Sequence, residues 1–155
     1  MTAVTLWTAA LCKPDPGYGG WAYVRRNADG TLAGAAGGER RVTGPRMVLT
    51  GLIEALTALA DLPAQTAVKL YVAEPSLAAE LVATDGAYAL AEPDAWAAAR
   101  KLLAARPVLT LTPLTDAAPA AGFLKAWADF GLDTAKTRGS FKAAIPKPNL
   151  LKFPG

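Results

Sequence analysis

At 155 residues, with 52% hydrophobic and 19% charged side chains, the chain is long enough for one domain with a substantial core and too apolar for intrinsic disorder. Its formal charge of +3 is unevenly spread: Lys136, Arg138, Lys142, Lys147 and Lys152 put +5 and no acid into the last 20 residues, leaving 11 cations against 13 acids, or −2, in residues 1–135. A single cysteine, Cys12, excludes an internal disulfide and fits a reducing cytoplasm, while no apolar run reaches the roughly 18 residues of a membrane helix and no export signal opens the chain.

The first stretch, VTLWTAALCKPDPGYGGWAYV over residues 4–24, reads as strand, turn, strand. Val4, Leu6, Thr8 and Ala10 alternate with Thr5, Trp7, Ala9 and Leu11, so both faces are apolar, as in a central strand covered on each side. The PDPGYGG turn lets the chain return antiparallel. A second turn at Asn27-Ala28-Asp29-Gly30 leads into a third strand over residues 31–42, completing a meander. Thr43 is placed as the N-cap of a helix in which Leu49, Leu52, Ile53, Leu56 and Ala60 recur at helical spacing.

A fourth strand follows over residues 67–73, carrying Val68, Leu70 and Val72 on one side. Glu74-Pro75-Ser76 then opens a short helix through Ala83, which the Asp85-Gly86 pair ends. Pro93-Asp94 starts a helix through Ala105 with Trp96, Ala99, Leu102 and Leu103 inward. Residues 107–112 form a fifth strand, residues 115–122 a loop and residues 123–135 a last helix. Beyond it, Gly139, Pro146, Pro148 and Pro154 interrupt regular structure. The division is a domain over residues 1–135 and a basic, proline-containing tail over residues 136–155.

The opening segment from Thr8 to Ala22 resembles the T-D-G-S-C-x-G-N-P-G-P-G-G-Y-G strand–turn–strand of type 1 ribonuclease H, and the order β-β-β-α-β-α-α-β-α agrees with that family over residues 3–135. The resemblance implies an α/β fold with a five-stranded mixed sheet, three antiparallel strands then two parallel, flanked by helices. In that family a ring of carboxylates holds paired divalent ions that hydrolyse the RNA of a hybrid.

Matched residue by residue, the first Asp falls on Ala9. The Glu of N-R-M-E-L falls on Val48, within Pro45-Arg46-Met47-Val48-Leu49, and the Asp of T-D-S falls on Ala73. The last Asp, in a looser match, falls on Trp127. None of the four can ligate a metal and the chain has no histidine. The resemblance therefore implies no catalytic residue, no metal and no cofactor, with Ala9, Val48 and Ala73 packing together. Glu74 is reversed in direction relative to Ala73, Asp129 lies roughly 200° around its helix from Trp127, and Glu54 lies about 9 Å beyond Val48, so none replaces the lost group. Thr43 and Arg46 remain to hold a backbone phosphate, while Asp15 stands where the family's turn has Asn.

The tail interleaves Lys136, Arg138, Lys142 and Lys147 with Phe141, Ile145, Leu150, Leu151 and Phe153. It reads as a strap on the body, as a basic arm for nucleic acid, or as a motif that docks a protein partner through Leu150, Leu151 and Phe153. The expectation is a catalytically inactive, non-enzymatic ribonuclease H-like protein, cytoplasmic and without a membrane partner. It binds hybrid or duplex through Thr43, Arg46, Lys136, Arg138, Lys142 and Lys147. The alternative is a protein-interaction or assembly module that has lost nucleic-acid binding, and a third reading is a divergent metal nuclease using Glu74, Asp129 or Glu39.

Overall fold

The computed structural model describes residues 3–82 and 86–155; the expected helix end at Ala83 and the break at Asp85 lie outside them. Strands β1 (Val4–Lys13), β2 (Gly17–Arg26) and β3 (Leu32–Val42) form the antiparallel meander that the turn signals anticipate. Helix α1 (Gly44–Thr57) follows directly, with Thr43 Oγ1 accepting the Arg46 N–H as a capping side chain does. Strand β4 (Val68–Val72) pairs parallel to β1, and β5 (Leu109–Pro113) pairs parallel to β4. Between them lie α2 (Pro75–Val82), α3 (Ala87–Ala91) and α4 (Pro93–Ala104).

Helix α5 (Pro119–Arg138) is longer at both ends than the last helix expected over residues 123–135. It starts at Pro119, whose fixed φ suits the first helical position, and it absorbs the second half of the expected loop. The boundary at residue 135 falls inside this helix. Beyond it, β6 (Phe141–Ala144) pairs antiparallel with β3, and α6 (Lys147–Leu150) follows. The sheet therefore has six strands, in the order β5-β4-β1-β2-β3-β6, and the expected five-stranded sheet is corrected by one. The extra strand satisfies the free backbone edge of β3, a stabilisation its own four residues do not advertise.

Both faces of the sheet are covered. On one, Val4, Leu6, Val68, Leu70 and Val72 meet Leu49, Leu52, Ala55 and Leu56 of α1, with Trp96 and Ala99 of α4. On the other, Trp7, Ala9, Ala22, Val24 and Ala36 meet Leu124 and Ala128 of α5 and the tail residues Ile145, Leu150 and Phe153. Helix α5 approaches the sheet backbone to backbone: a β-carbon on Gly20 would meet the carbonyl of Ala128, and one on Gly131 the carbonyl of Gly37. This close approach explains Gly20 of β2 and Gly38 of β3, where a β-carbon would meet the α5 backbone. Among the described residues no helix is long and apolar enough to cross a membrane.

Candidate functional site

The C-terminal end of β4 lies beside the middle of β1, with the Ala73 N–H donating to the Thr8 carbonyl at 2.9 Å. Alternation on each strand sends Ala9 and Ala73 to the α5 face, where they are buried against a cluster that includes the half-buried Trp127. Val48 sits on the opposite face with the α1 cluster. The structure thus unites three of the four singled-out positions and separates the fourth, correcting the expectation that Ala9, Val48 and Ala73 pack together.

Val48 instead lines a small cleft of about 260 Å³ with Ala10, Leu11, Asp15, Gly44, Glu74 and Tyr88. Asp15 Oδ1 accepts the Gly44 N–H at 2.9 Å and hooks the β1–β2 turn to the start of α1. Glu74 accepts from Ser76 Oγ at 3.1 Å, and Ser76 Oγ lies 2.9 Å from the Tyr88 hydroxyl, whose pKa is raised by burial. Cys12 lines the same cleft, its thiol donating to the Pro14 and Val42 carbonyls. Burial first and the Asp15 charge second push its pKa up, so it is held as a thiol.

The paired divalent ions implied by the resemblance do not fit these residues. Ala9, Val48, Ala73 and Trp127 offer no ligand oxygen, and among the described residues no three of His, Cys, Asp and Glu gather closely enough to hold a metal ion. Glu54 is engaged by Lys142 at 2.6 Å, and Asp129 is exposed on α5.

The expected nucleic-acid residues fall into three groups. Thr43 and Arg46 share one carboxylate: Arg46 Nη1 lies 3.2 Å from Glu92 Oε1, and Thr43 Oγ1 donates to Glu92 Oε2 at 3.4 Å. Lys136 and Arg138 occupy the last turn of α5, with Lys136 Nζ 5.6 Å above the Tyr18 ring. Lys142 is tied to Glu54, which raises the lysine pKa through their hydrogen bond, and Lys147 lines a distant groove beside Asp29 and Leu151. The tail cations therefore do not form one arm.

Nor is the tail a docking motif. Leu150 and Phe153 are buried, Phe153 packing edge-on against Trp7 at 4.8 Å and Phe123 at 5.1 Å, and of the three expected partner residues Leu151 alone is exposed, at 85%. The strap uses the other two for its own attachment. Sequence reasoning gives no role to Glu92, which stands at the N-cap position of α4 without a side-chain capping bond and turns its carboxylate to Thr43 and Arg46 instead.

No family model matches the chain. A protein of Albidiferax ferrireducens named "Ribonuclease H" is 44% identical over 59 residues, covering 38% of this chain and 39% of that protein. One of Acidiphilium cryptum with the same name is 48% identical over 58 residues, covering 36% and 34%. The match thus spans little more than a third of these relatives' length. Among solved structures, the N-terminal RNase H domain of a Mycobacterium tuberculosis protein superposes with a TM-score of 0.74 at 17% identity, over 88% of this chain and 97% of that one. LC11-RNase H1, solved in complex with an RNA/DNA hybrid, gives 0.73 at 16% identity over 86% and 99%. The fold is ribonuclease H-like.

These relatives correct the expectation of an inactive, non-enzymatic binding module, and with it the assembly-module alternative. The locally similar proteins carry the name of an enzyme. Replacement at matched positions is a statement about side chains and does not measure turnover, so loss of catalysis does not follow from it.

Proposed function

We propose that this chain acts on nucleic acid as a ribonuclease H-type protein, with the RNA/DNA hybrid as its substrate class. The observation that carries the reading is the ribonuclease H-like fold over 86% of the chain, shared with a protein solved on such a hybrid. It is supported by the local identity to proteins named for the activity. In this reading Ala9, Val48, Ala73 and Trp127 occupy the family's carboxylate positions, and Thr43, Arg46, Lys136 and Arg138 contact the phosphate backbone. A cytoplasmic setting accompanies it, supported by the single Cys12.

Asp15 and Glu74 are the acids that line the cleft beside Val48, and they are the groups through which chemistry at this corner would be assigned. The test has two parts. Titrating the purified chain with hybrid, DNA duplex and each single strand is expected to give tightest binding to the hybrid; equal or absent binding to all four overturns the reading. Hybrid turnover by the wild type, Asp15→Asn and Glu74→Gln then locates hydrolysis. Loss in either variant assigns it to this cleft, and equal rates in all three place it elsewhere.

A further inference from the structure

Glu92 is the one residue between α3, which ends at Ala91, and α4, which begins at Pro93. Its backbone is fixed from both sides: the Glu92 N–H donates to the Tyr88 carbonyl, and the Glu92 carbonyl accepts the Trp96 N–H, each at 2.9 Å. The side chain makes no capping bond at the start of its own helix. It crosses instead to the start of α1, where its two oxygens take separate partners, Oε1 the Arg46 guanidinium and Oε2 the Thr43 hydroxyl.

Helix α1 does not need that carboxylate as a cap. The Gly44 N–H already donates to Asp15, Pro45 has no N–H, and the Arg46 and Met47 N–H groups donate to the Thr43 hydroxyl and carbonyl. The amides of the first turn are thus satisfied without Glu92. What Glu92 holds is a pair of side chains, the two that the hybrid reading assigns to the phosphate backbone at this corner. Its charge also stands in for an acid that α1 lacks in its own first turn. A carboxylate bridging a guanidinium and a hydroxyl in this way occupies the place that an anionic ligand oxygen would take.

The contact is easily broken. Separations of 3.2 and 3.4 Å exceed the roughly 2.5–2.9 Å of strong charge-assisted bonds, and the Arg46 side chain is 48% exposed, so the pair is weak in water. Because the Glu92 backbone is anchored, rotation about its side-chain bonds frees both partners without moving α3 or α4.

We propose that Glu92 is an internal competitor for the phosphate: its carboxylate occupies Thr43 and Arg46 in the free protein and is displaced when a nucleic acid binds. The inference rests on the hybrid reading of Thr43 and Arg46 and adds an autoinhibitory contact to it. Only molecules with Glu92 turned away are competent, so the apparent affinity of every ligand at this place is reduced by that fraction. A hybrid held at further points tolerates the reduction, whereas an isolated phosphate is turned away.

The experiment compares the full chain with Glu92→Gln and with a control, Asp94→Asn, which removes the same charge from an exposed position two residues further on. Both changes are also made in an Arg46→Gln background. Each protein is titrated with an RNA/DNA hybrid, and separately with inorganic pyrophosphate while the Gly44 amide resonance is followed. Expected is a roughly three- to tenfold tighter hybrid affinity for Glu92→Gln only, which corresponds to a competent fraction of about a third to a tenth in the wild type. The gain should largely disappear in the Arg46→Gln background. In the wild type, the Glu92 carboxyl carbon resonance should shift as hybrid saturates, a readout that does not depend on any variant folding. A carboxyl resonance that stays in place at saturation overturns the proposal and leaves the hybrid reading intact, as does a gain in Glu92→Gln no larger than in Asp94→Asn. If no protein binds hybrid, yet pyrophosphate perturbs Gly44 more strongly in Glu92→Gln than in the wild type and the control, the hybrid reading falls and the competition stands. No response to either probe in any of the proteins overturns both.

Discussion

On the α5 side the sheet meets its helix through Gly20, Gly37, Gly38 and Gly131 and through Ala9, Ala22, Ala36 and Ala128, whereas on the α1 side it meets α1 and α4 through Leu49, Leu52, Leu56, Leu70 and Trp96. The first interface is set by backbone approach and the second by interdigitating side chains. Space is therefore a scarcer resource at Ala9 and Ala73 than at Val48. Where α5 draws back from direct backbone contact, large rings fill the gap: Trp7, Phe123 and Phe153 pack together, and the strap supplies the last of them.

The contrast predicts an ordered set of effects. Gly20→Val and Gly131→Val should be the most damaging, because the new β-carbon meets a carbonyl of the facing element and no side chain can rotate away. A loss of about 3 kcal/mol or more is expected by chemical denaturation. Unchanged stability would show that α5 can lift from the sheet. Phe153→Ala should cost about 3 kcal/mol by emptying the ring cluster, while Leu151→Ala, at a side chain 85% exposed, should fall within about 0.5 kcal/mol of wild type. Equal losses at the two positions would mean that the strap is attached in some other way.

Placing a carboxylate on each side sharpens the comparison further. Ala9→Asp inserts a charge at a site 5% exposed among Ala73, Leu124 and Ala128, and should cost about 2–3 kcal/mol. Val48→Glu reaches the cleft and should cost less than about 1 kcal/mol, so the ratio of the two losses reads the packing difference directly. The smallest effect is in acid. Asp61 is held below its ordinary 3.8 chiefly by the hydrogen bond from Arg25, so its contribution is present above that value and is lost as pH falls through the lower folded pKa. In Asp61→Asn the stability curve should be flatter below about pH 4 and unaltered at neutral pH; an identical acid limb in the two proteins would contradict the assignment.

Sequence made one class of feature readable and concealed another. The β1–β3 meander, the Thr43 cap and the existence of β4 and β5 were legible because turn residues, a capping hydroxyl and period-two alternation act locally, while the parallel direction of the last two came from the family resemblance. Strand β6 was not, since Phe141–Ala144 becomes a strand by completing the β3 edge, and the prolines that follow it make the segment look irregular. Pro119 reads as part of a loop in sequence, although proline at the first position is a helix-start signal. At the candidate site, the family resemblance placed Ala9 beside Ala73, but nothing local could reveal that Val48 approaches from the opposite face. The tail cations look continuous in sequence, and three elements carry Lys136, Lys142 and Lys147 to separate places.

Whether the chain holds an RNA/DNA hybrid on the side where β1 and β2 turn, α1 begins and α5 ends can be read from amide chemical shifts during titration of the full chain with a short hybrid. The largest shifts are expected at Gly44, Arg46, Tyr18 and Arg41, with little change at Thr31, Leu32 and Leu151 in the groove on the far side. Shifts confined to that far groove, or none at a hybrid concentration that saturates binding, would refute the placement.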